Sequence, residues 1–284
     1  MSDTAIPAMD PSVPNKFLPF EDVSFLKRFW VSNRTALLFI IGIAVFLLFW
    51  EWEARYLKIV EPFFIPPISE ILAALKENLL NGEIPKEMAW SLRNWAGGWL
   101  IGAGLGIPLG LTLGSFPILN KILSPYLWIL WVTPRIAFLP IVIMALGFGP
   151  ETKILFISIS CFFQVVVPTT AGVLTVKPSY VRVGRLFGGS RIQVYRKIVL
   201  PYALNFIVTG LRLAARSGMM VMYSTEMFGS AYGIGTWVIL QSELFYMEAA
   251  FAGLICLIIV SVSIIALIDF IDNRMRPWKS EVSI

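Results

Sequence analysis

Four ionisable residues, Arg135, Arg212, Arg216 and Glu226, lie within or beside long apolar runs of this sequence. A charge at membrane depth is costly, so each of them requires either a function or a partner. Arg216, and with it Arg135, could give a pathway a positive field that favours an anion. The alternative is that Arg135 and Arg212 lie near the inner membrane interface and pair with carbonyl or phosphate oxygens, which is our interpretation for Arg212. For Arg216 the sequence leaves both a pathway role and a structural role open. Glu226 is expected to cap a helix or to pair near the outer face, although it is also kept in the candidate path.

Uncharged polar and aromatic residues in the same runs extend this candidate translocation path. Together with Arg135, Arg216 and Glu226, the path comprises Gln164, Thr169, Met220, Tyr223 and Thr225, with Thr170, Ser217 and Ser224 as further side chains of the same kind. Each of the uncharged residues could instead make a hydrogen bond between helices. The sequence leaves these two roles open.

Catalysis and metal binding find little support in the sequence. Histidine, the commonest metal ligand and proton relay, does not occur in it. The two cysteines, Cys161 and Cys256, lie inside apolar runs, and we interpret them as small buried hydrophobes rather than as a disulfide. No convergent constellation of Ser, Cys, Asp or His is visible. The sequence therefore predicts no catalytic residue, no metal site and no cofactor bound by this chain.

The composition indicates a polytopic membrane protein. Apolar residues make up 57% of the 284 residues, and charged residues make up only 14%, which is about half of the usual share in soluble proteins. A helix needs roughly 20 apolar residues to cross a bilayer. Runs of about this length occupy residues 35–52, 92–113, 122–146, 154–176, 202–223 and 249–271. We therefore predict an all-α membrane protein with about six transmembrane helices.

The connecting segments predict the orientation. Basic residues are concentrated in residues 1–34, in residues 177–201 and near the C-terminus, whereas the first loop is rich in glutamate. The positive-inside rule then places both termini in the cytoplasm. Residues 1–34 are expected to form a cytoplasmic segment rather than a cleaved signal. Within it, residues 17–30 form either an interfacial elbow helix or a polar tail, and residues 276–284 form a cytoplasmic tail.

Two local patterns predict how helices begin and pack. Residues 68–80 have apolar side chains at helical spacing and predict a short outer helix with Ser69 as its N-cap. In the second run a glycine recurs every four residues, at Gly98, Gly102, Gly106, Gly110 and Gly114. On a helix these glycines form a stripe without side chains that lets another helix approach closely. We interpret the stripe as a packing seam, and a sliding surface used in a conformational change is the alternative.

Residues 177–201, hereafter the basic loop, hold six Lys or Arg residues and no acidic residue. Two sets of residues can each share a helix face: Val183, Leu186 and Phe187, and then Ile192, Tyr195 and Val199. Gly188 and Gly189 separate the two short helices, Ser190 caps the second, and Pro201 marks where the chain turns into the membrane. A compact protrusion with an apolar ridge and charged flanks is suited to docking into a groove on another protein.

The basic loop resembles the signature loop of the membrane subunits of ATP-binding cassette (ABC) importers. That signature reads Glu-Ala-Ala, three residues, Gly, nine residues, Ile-x-Leu-Pro. Gly188 is followed by nine residues and then by Ile198, Val199, Leu200 and Pro201, while the segment from Arg182 occupies the Glu-Ala-Ala place with a different sequence. Over residues 35–275, "GIPLGLTLGS", "TPRIAFLPIVIMALGFGPETKI", "VLPYALNFIVTGLRLAARSG" and "EMFGSAYGIG" resemble the nitrate/sulfonate/bicarbonate-type branch of these permeases.

The resemblance implies a type I ABC importer permease fold, with a coupling helix between the fourth and fifth spans. The residues expected to contact the ATPase are Arg182, Arg185, Leu186, Phe187, Gly188, Gly189, Ser190, Tyr195 and Pro201. The family also implies a homodimer in a bacterial inner membrane, two ATPase subunits and an extracytoplasmic solute-binding protein, with no role for nucleic acid.

The resemblance further implies what the chain carries and what drives it. A GxxxxGK[ST] loop does not occur in the sequence, so ATP and Mg²⁺ are expected to be bound by the partner ATPase. The implied solute is small and anionic, of the nitrate, bicarbonate or sulfonate class. A secondary transporter or channel would be expected to show an inverted repeat or an intramembrane acid–base relay, and neither is apparent.

Overall fold

The computed structural model describes residues 25–61, 63–228 and 230–275, with side chains described from residue 38 to residue 274. The chain divides into two compact units, Met1–Ile59 and Val60–Ile284. The described residues are almost entirely helical. This confirms the predicted all-α class.

The described part of the first unit is one long helix. Helix α1 spans Phe25–Trp52 and continues into a π-helical turn, Glu53–Leu57, which ends at the left-handed residue Lys58. The large apolar side chains of α1 are exposed, as is usual for a helix surrounded by lipid. The first predicted span forms the C-terminal part of α1. The predicted elbow, residues 17–30, lies outside the described residues except where it overlaps α1, and the tail 276–284 lies outside them entirely.

The second unit contains ten α-helices among its described residues. They are α2 (Ile68–Leu80), α3 (Glu83–Ser115), α4 (Pro117–Val132), α5 (Leu139–Leu146), α6 (Pro150–Leu174), α7 (Pro178–Leu186), α8 (Arg191–Val194), α9 (Leu200–Met227), α10 (Ile234–Glu243) and α11 (Met247–Met275). In the described part of the chain, four helices are long and apolar enough to cross a membrane: α3, α6, the continuous helix Arg191–Met227 that contains α9, and α11. The bent pair α4 and α5 makes a fifth candidate span, and α1 accounts for the sixth predicted run.

The glycine stripe of α3 is a packing seam, as the sequence predicts. A Cβ atom added at Gly102 would lie 2.6 Å from the carbonyl oxygen of Ser158 on α6, and one at Gly110 would lie 2.7 Å from Cβ of Thr169. Real Cβ atoms do not approach so closely, so only glycine permits this separation of the two helices. On the other side of α6, Gly210 of α9 lies against the backbone of Gln164 and Val165. Helix α6 is therefore held between α3 and α9.

The third predicted span, residues 122–146, is not one continuous helix. Helix α4 ends at Val132, a 3₁₀ turn occupies Arg135–Phe138, and α5 follows after a bend of 77°. Thr133 is extended, with φ −61° and ψ 130°, because the residue before a proline is driven out of the helical region. Pro134 therefore breaks the span and places Arg135 at the break.

One predicted helix end needs correction, and one predicted turn lies inside a longer helix. Helix α2 has the predicted bounds, but Pro67 rather than Ser69 occupies its N-cap position, because the helix starts at Ile68. Pro201, which the sequence predicts to mark where the chain turns into the membrane, lies inside a helix that runs without interruption from Arg191 to Met227. A π-helical turn, Tyr195–Val199, precedes the proline, whose missing N–H is tolerated in the first turn of α9.

Candidate functional site

The basic loop folds into a helical corner built on its two glycines. Helix α7 ends at Leu186, and Gly188 follows in the left-handed region with φ +77°. The N–H of Gly188 donates to Arg185 O at 2.9 Å, and the N–H of Gly189 donates to Gly184 O at 3.0 Å. These bonds satisfy carbonyls at the end of α7. The predicted break at Gly188 and Gly189 is thus confirmed.

Ser190 begins the second helix, as predicted. Its side chain accepts from the N–H of Gln193 at 3.3 Å, and the Gln193 side chain accepts from the N–H of Ser190 at 2.8 Å. This reciprocal pair is a capping box. The cap fixes the direction in which α8 leaves the glycine corner.

The predicted face of the second helix is wrong in part. Ile192 is exposed, and Val194 and Ile198 instead pack against Gly184 of α7. The π-helical turn inserts an extra residue into the helix. The regular α-helical spacing that would put Ile192, Tyr195 and Val199 on one face therefore does not hold. The glycine at position 184 leaves the space that this contact requires.

The basic loop presents an apolar ridge and a basic hollow. Leu186, Phe187 and Ile192 are 85%, 88% and 70% exposed. Other residues of the loop line a cavity of about 610 Å³: Arg182, Arg185, Arg191 and Tyr195, together with the adjoining ends of α3 and α6. Exposed apolar side chains beside clustered cations are typical of a surface that another protein covers.

Arg212 is fixed by two carboxylates that the sequence analysis missed. Its Nε atom lies 2.5 Å from Asp269, and its Nη2 atom lies 3.2 Å from Asp272, both on α11. The expectation that Arg212 pairs with carbonyl or phosphate oxygens is therefore wrong. The two acids are three residues apart in "IDFID" and share one helix face, which is the signal that could have revealed them.

Arg135 and Arg216 occupy different environments. Arg216 is exposed on α9. Arg135 lies over the ring of Phe163 with a distance of 5.4 Å to the ring centroid. Its Nη1 atom is buried and has no hydrogen-bond partner among the described residues. Arg135 lines a cavity between the helices, and Arg216 does not line that cavity.

That cavity, hereafter the arginine cavity, has a volume of about 360 Å³. Its lining comes from the break after α4 and from the middle of α6 and α9: Trp131, Val132, Thr133, Pro134, Arg135, Ile136, Phe156, Ser160, Ser217, Met220, Val221 and Ser224. The structure thus brings together Arg135 and Met220 of the candidate path with Ser217 and Ser224. Ser160 is an additional member that the sequence analysis did not single out.

The other path residues lie elsewhere in the fold. Thr169 and Thr225 are buried, Thr169 against the glycine seam at Gly110. Gln164 and Tyr223 are half-buried and do not line the arginine cavity.

Glu226 takes the capping role that the sequence analysis considered. Its carboxylate is 1% exposed and accepts from Ser91 Oγ at 2.8 Å and from the Gly235 N–H at 2.9 Å. Gly235 is in the first turn of α10, where N–H groups lack partners within the helix. Nearby, Lys153 Nζ donates to Tyr232 O at 2.7 Å and Glu87 accepts from the Gly233 N–H at 2.8 Å. This network, the Glu226 network, joins α3, α6, α9 and α10.

These features define a class of protein: a polytopic helical membrane subunit with an exposed basic loop and a polar cavity within the helices. Residues 106–277 match the model of the family of binding-protein-dependent transport system inner membrane components. The match covers more than half of the chain, so the chain belongs to this family. It is a permease subunit of the ABC importer type.

Several permeases are similar to the chain over most of its length. The taurine transport system permease protein of Escherichia coli is 29% identical over 262 residues, which cover 90% of this chain and 95% of that protein. A putative aliphatic sulfonates transport permease protein of Bacillus subtilis is 28% identical, covering 84% and 86%. The bicarbonate transport system permease protein of a Synechocystis species is 29% identical, covering 75% and 79%. The predicted resemblance to this branch is confirmed.

A solved structure supports the fold. A crystal structure of an amino acid ABC transporter with histidines contains a chain that matches with a TM-score of 0.57 and 18% identity. The match covers 72% of this chain and 98% of that chain. This similarity extends to the arrangement of helices.

Proposed function

We propose that this chain couples an ATPase to the import of a small oxyanion through its basic loop. In this proposal the loop faces the cytoplasm, a separate ATPase binds ATP and Mg²⁺, and a binding protein delivers the solute from the other side. A second copy of the chain completes the path in a bacterial inner membrane, with both termini in the cytoplasm.

The exposed ridge of the basic loop is the observation that carries the proposal. Leu186 and Phe187 stand at the tip of the glycine corner, almost fully exposed, where they can enter a groove on the ATPase. The corner is stiffened by the left-handed Gly188 and by the capping box of Ser190. The residues expected at the contact are those predicted from the sequence, with the basic side chains Arg182 and Arg185 flanking the ridge.

Continuity of the helix explains how a movement of the ATPase reaches the membrane. The helix from Arg191 to Met227 joins the basic loop to the middle of the bundle. When nucleotide draws two ATPase subunits together, each docked loop moves with them and tilts this helix. Such coupling requires that the ATPase bind one conformation of the permease better than the other.

The solute class rests on the names of the relatives. They transport taurine, aliphatic sulfonates and bicarbonate, which share a small anionic group with several oxygens. The basic character of Arg135 in the arginine cavity is in keeping with such a solute.

The test is capture of the ATPase by variants of Gly188. A Cβ at this position meets open space, so a substitution acts through the backbone, which must stay left-handed. Asparagine tolerates this conformation and valine does not. We expect Gly188→Asn to retain capture and ATP-driven uptake in proteoliposomes with the binding protein, and Gly188→Val to lose both.

A glycine away from the loop provides the control. Gly104 of α3 also has open space around its Cβ and lies in ordinary helix, so Gly104→Val should leave capture unchanged. Full capture and uptake by Gly188→Val, at wild-type stability, would refute the assignment of the loop.

A further inference from the structure

The guanidinium of Arg135 carries a charge that the described residues do not neutralise. Its Nη1 atom is buried without a hydrogen-bond partner, and its one described favourable contact is with the face of Phe163. No carboxylate lies within ion-pair distance of it in the part of the chain that the structure describes. The Nη1 atom is buried and the residue as a whole is half-buried, so its charge is costly unless an anion compensates it.

The cavity beside Arg135 offers hydrogen-bond donors and no competing negative charge. The hydroxyls of Ser160 and Ser217 are 2.6 Å apart, and either atom could be the donor. One hydroxyl proton of the pair remains available for a ligand, because each serine has a single proton. None of the described residues that line the cavity is acidic. An anion would therefore meet a cation and a donor without repulsion.

The position of the arginine cavity suits a solute in transit. Ser160 and Ser217 each lie about ten residues, or roughly 15 Å, from the nearer end of their helix. Because α6 and the continuous helix that contains α9 are long and apolar enough to cross a membrane, we place these serines near the middle of a hydrocarbon core of roughly 30 Å. One wall is the non-helical segment around Pro134, and broken helices at this depth are tolerated where they line a cavity.

We propose that Arg135, with the Ser160–Ser217 hydroxyl pair, forms a binding site within the permease for the oxyanion group of the solute. The inference rests on the proposed function and assigns the site of charge recognition in the membrane. The cavity of about 360 Å³ is at the small end of ligand sites, so the site takes a sulfonate, nitrate or bicarbonate group. Arg216, although close in sequence to Ser217, has no part in it.

Equilibrium binding to the full chain in nanodiscs of zwitterionic lipid tests this site. The probes are methanesulfonate and dimethyl sulfone, which have nearly the same shape and differ in charge. We expect saturable binding of radiolabelled methanesulfonate, competition by nitrate or bicarbonate, and no competition by dimethyl sulfone. Zwitterionic lipid removes anionic headgroups as an alternative source of the signal.

Substitutions then assign the binding to the cavity. A hydrogen bond to a charged group contributes about 1.5–3 kcal/mol, so Arg135→Gln should raise the Kd by about 10- to 100-fold. Arg135→Lys, which keeps the charge, should lose less, and Ser217→Ala should raise the Kd by about 2- to 10-fold. The matched control is Arg216→Gln, which also removes one guanidinium charge, from the residue immediately before Ser217. It should change the Kd less than twofold.

Four results would overturn the site: no saturable binding of methanesulfonate, nitrate or bicarbonate; equal competition by dimethyl sulfone; an unchanged Kd in Arg135→Gln; or the same loss in Arg216→Gln. If Arg135→Gln fails to fold, Arg135→Lys and Ser217→Ala decide the question.

Capture of the ATPase is measured on the same preparations. A chain that captures the ATPase and binds no oxyanion refutes this inference alone, and one that binds the oxyanion without capturing an ATPase refutes the proposed coupling alone.

Discussion

Arg212 of α9 and Asp272 of α11 form an ion pair, with 3.2 Å between Nη2 and the carboxylate oxygen. The side chain of Asp272 is 1% exposed and that of Arg212 is 25% exposed, while the second acid, Asp269, is 43% exposed. The pair joins the last helix to the helix that continues from the basic loop. Of the two acids, the buried Asp272 should therefore contribute more to stability.

We predict that Asp272→Asn lowers the free energy of unfolding in mild detergent by about 1–3 kcal/mol, because the Nη2 atom of Arg212 loses a charged partner whose side chain is almost fully buried. Asp269→Asn is the matched comparison and should cost less than about 1 kcal/mol, since water screens the exposed carboxylate. The measurement is denaturant unfolding followed by circular dichroism. Equal costs for the two substitutions would contradict this assignment.

Much of the fold follows from one-dimensional patterns in the sequence. The six apolar runs, the helix over residues 68–80 and the seam from Gly98 to Gly114 depend on spacing along one helix, which the sequence displays directly. The glycine corner also follows, because Gly188 and Ser190 have strong local preferences.

The features of the fold and the site that the sequence did not predict depend on contacts between distant segments. By hydropathy, residues 122–146 form one apolar run. A proline such as Pro134 does not by itself predict that the helix breaks there, because Pro108 and Pro168 lie inside continuous helices. The partners of Arg212 and Glu226 come from other helices, 60 and 135 residues away. Arg135 and Arg216 are both arginines in apolar runs, so the sequence gives no reason to treat them differently. Only the packing of α6 and α9 shows that Arg135 lines a cavity and that Arg216 is exposed.

The seam between α3 and α6 makes a sharp prediction about stability. Gly102→Ala places a Cβ atom 2.6 Å from the backbone oxygen of Ser158, so the helices must separate, at a cost of about 1–3 kcal/mol. Gly104→Ala, two residues further along the same helix, meets open space and should be neutral or slightly stabilising. Thermal unfolding of both variants measures the difference. A similar loss in both would show that the seam does not limit the separation of the helices.

The charge of the basic loop predicts the sign of its partner surface. Arg182, Arg185 and Arg191 line one hollow, and Arg182 stands where the family signature has glutamate. We therefore expect an acidic groove on the ATPase. Arg182→Glu should weaken capture about fivefold or more at low salt, with a smaller effect at high salt because ions screen exposed charges.

Lys86→Glu is the control for this charge reversal. Lys86 is exposed near the start of α3, at the end of that helix away from the basic loop. The same change of net charge there should leave the affinity for the ATPase unchanged. Tighter capture by Arg182→Glu would mean that the groove is basic, as the usual signature implies.

The Glu226 network predicts which helix loosens when the buried carboxylate is removed. In Glu226→Ala, the hydroxyl of Ser91 and the N–H of Gly235 lose their acceptor, and each unpaired buried group costs about 1–3 kcal/mol. Because these groups fix the start of α10 to α3 and α9, the loss should appear as faster hydrogen exchange in the first turn of α10. Glu226→Gln keeps one acceptor oxygen and should show a smaller increase.

The control is Glu243→Ala, because Glu243 is exposed at the other end of α10. This substitution should leave the hydrogen exchange of the first turn of α10 unchanged. A Glu226→Gln variant that exchanges like the wild type and yet transports the solute more slowly would contradict a purely structural role, because it would show that this carboxylate acts on the solute.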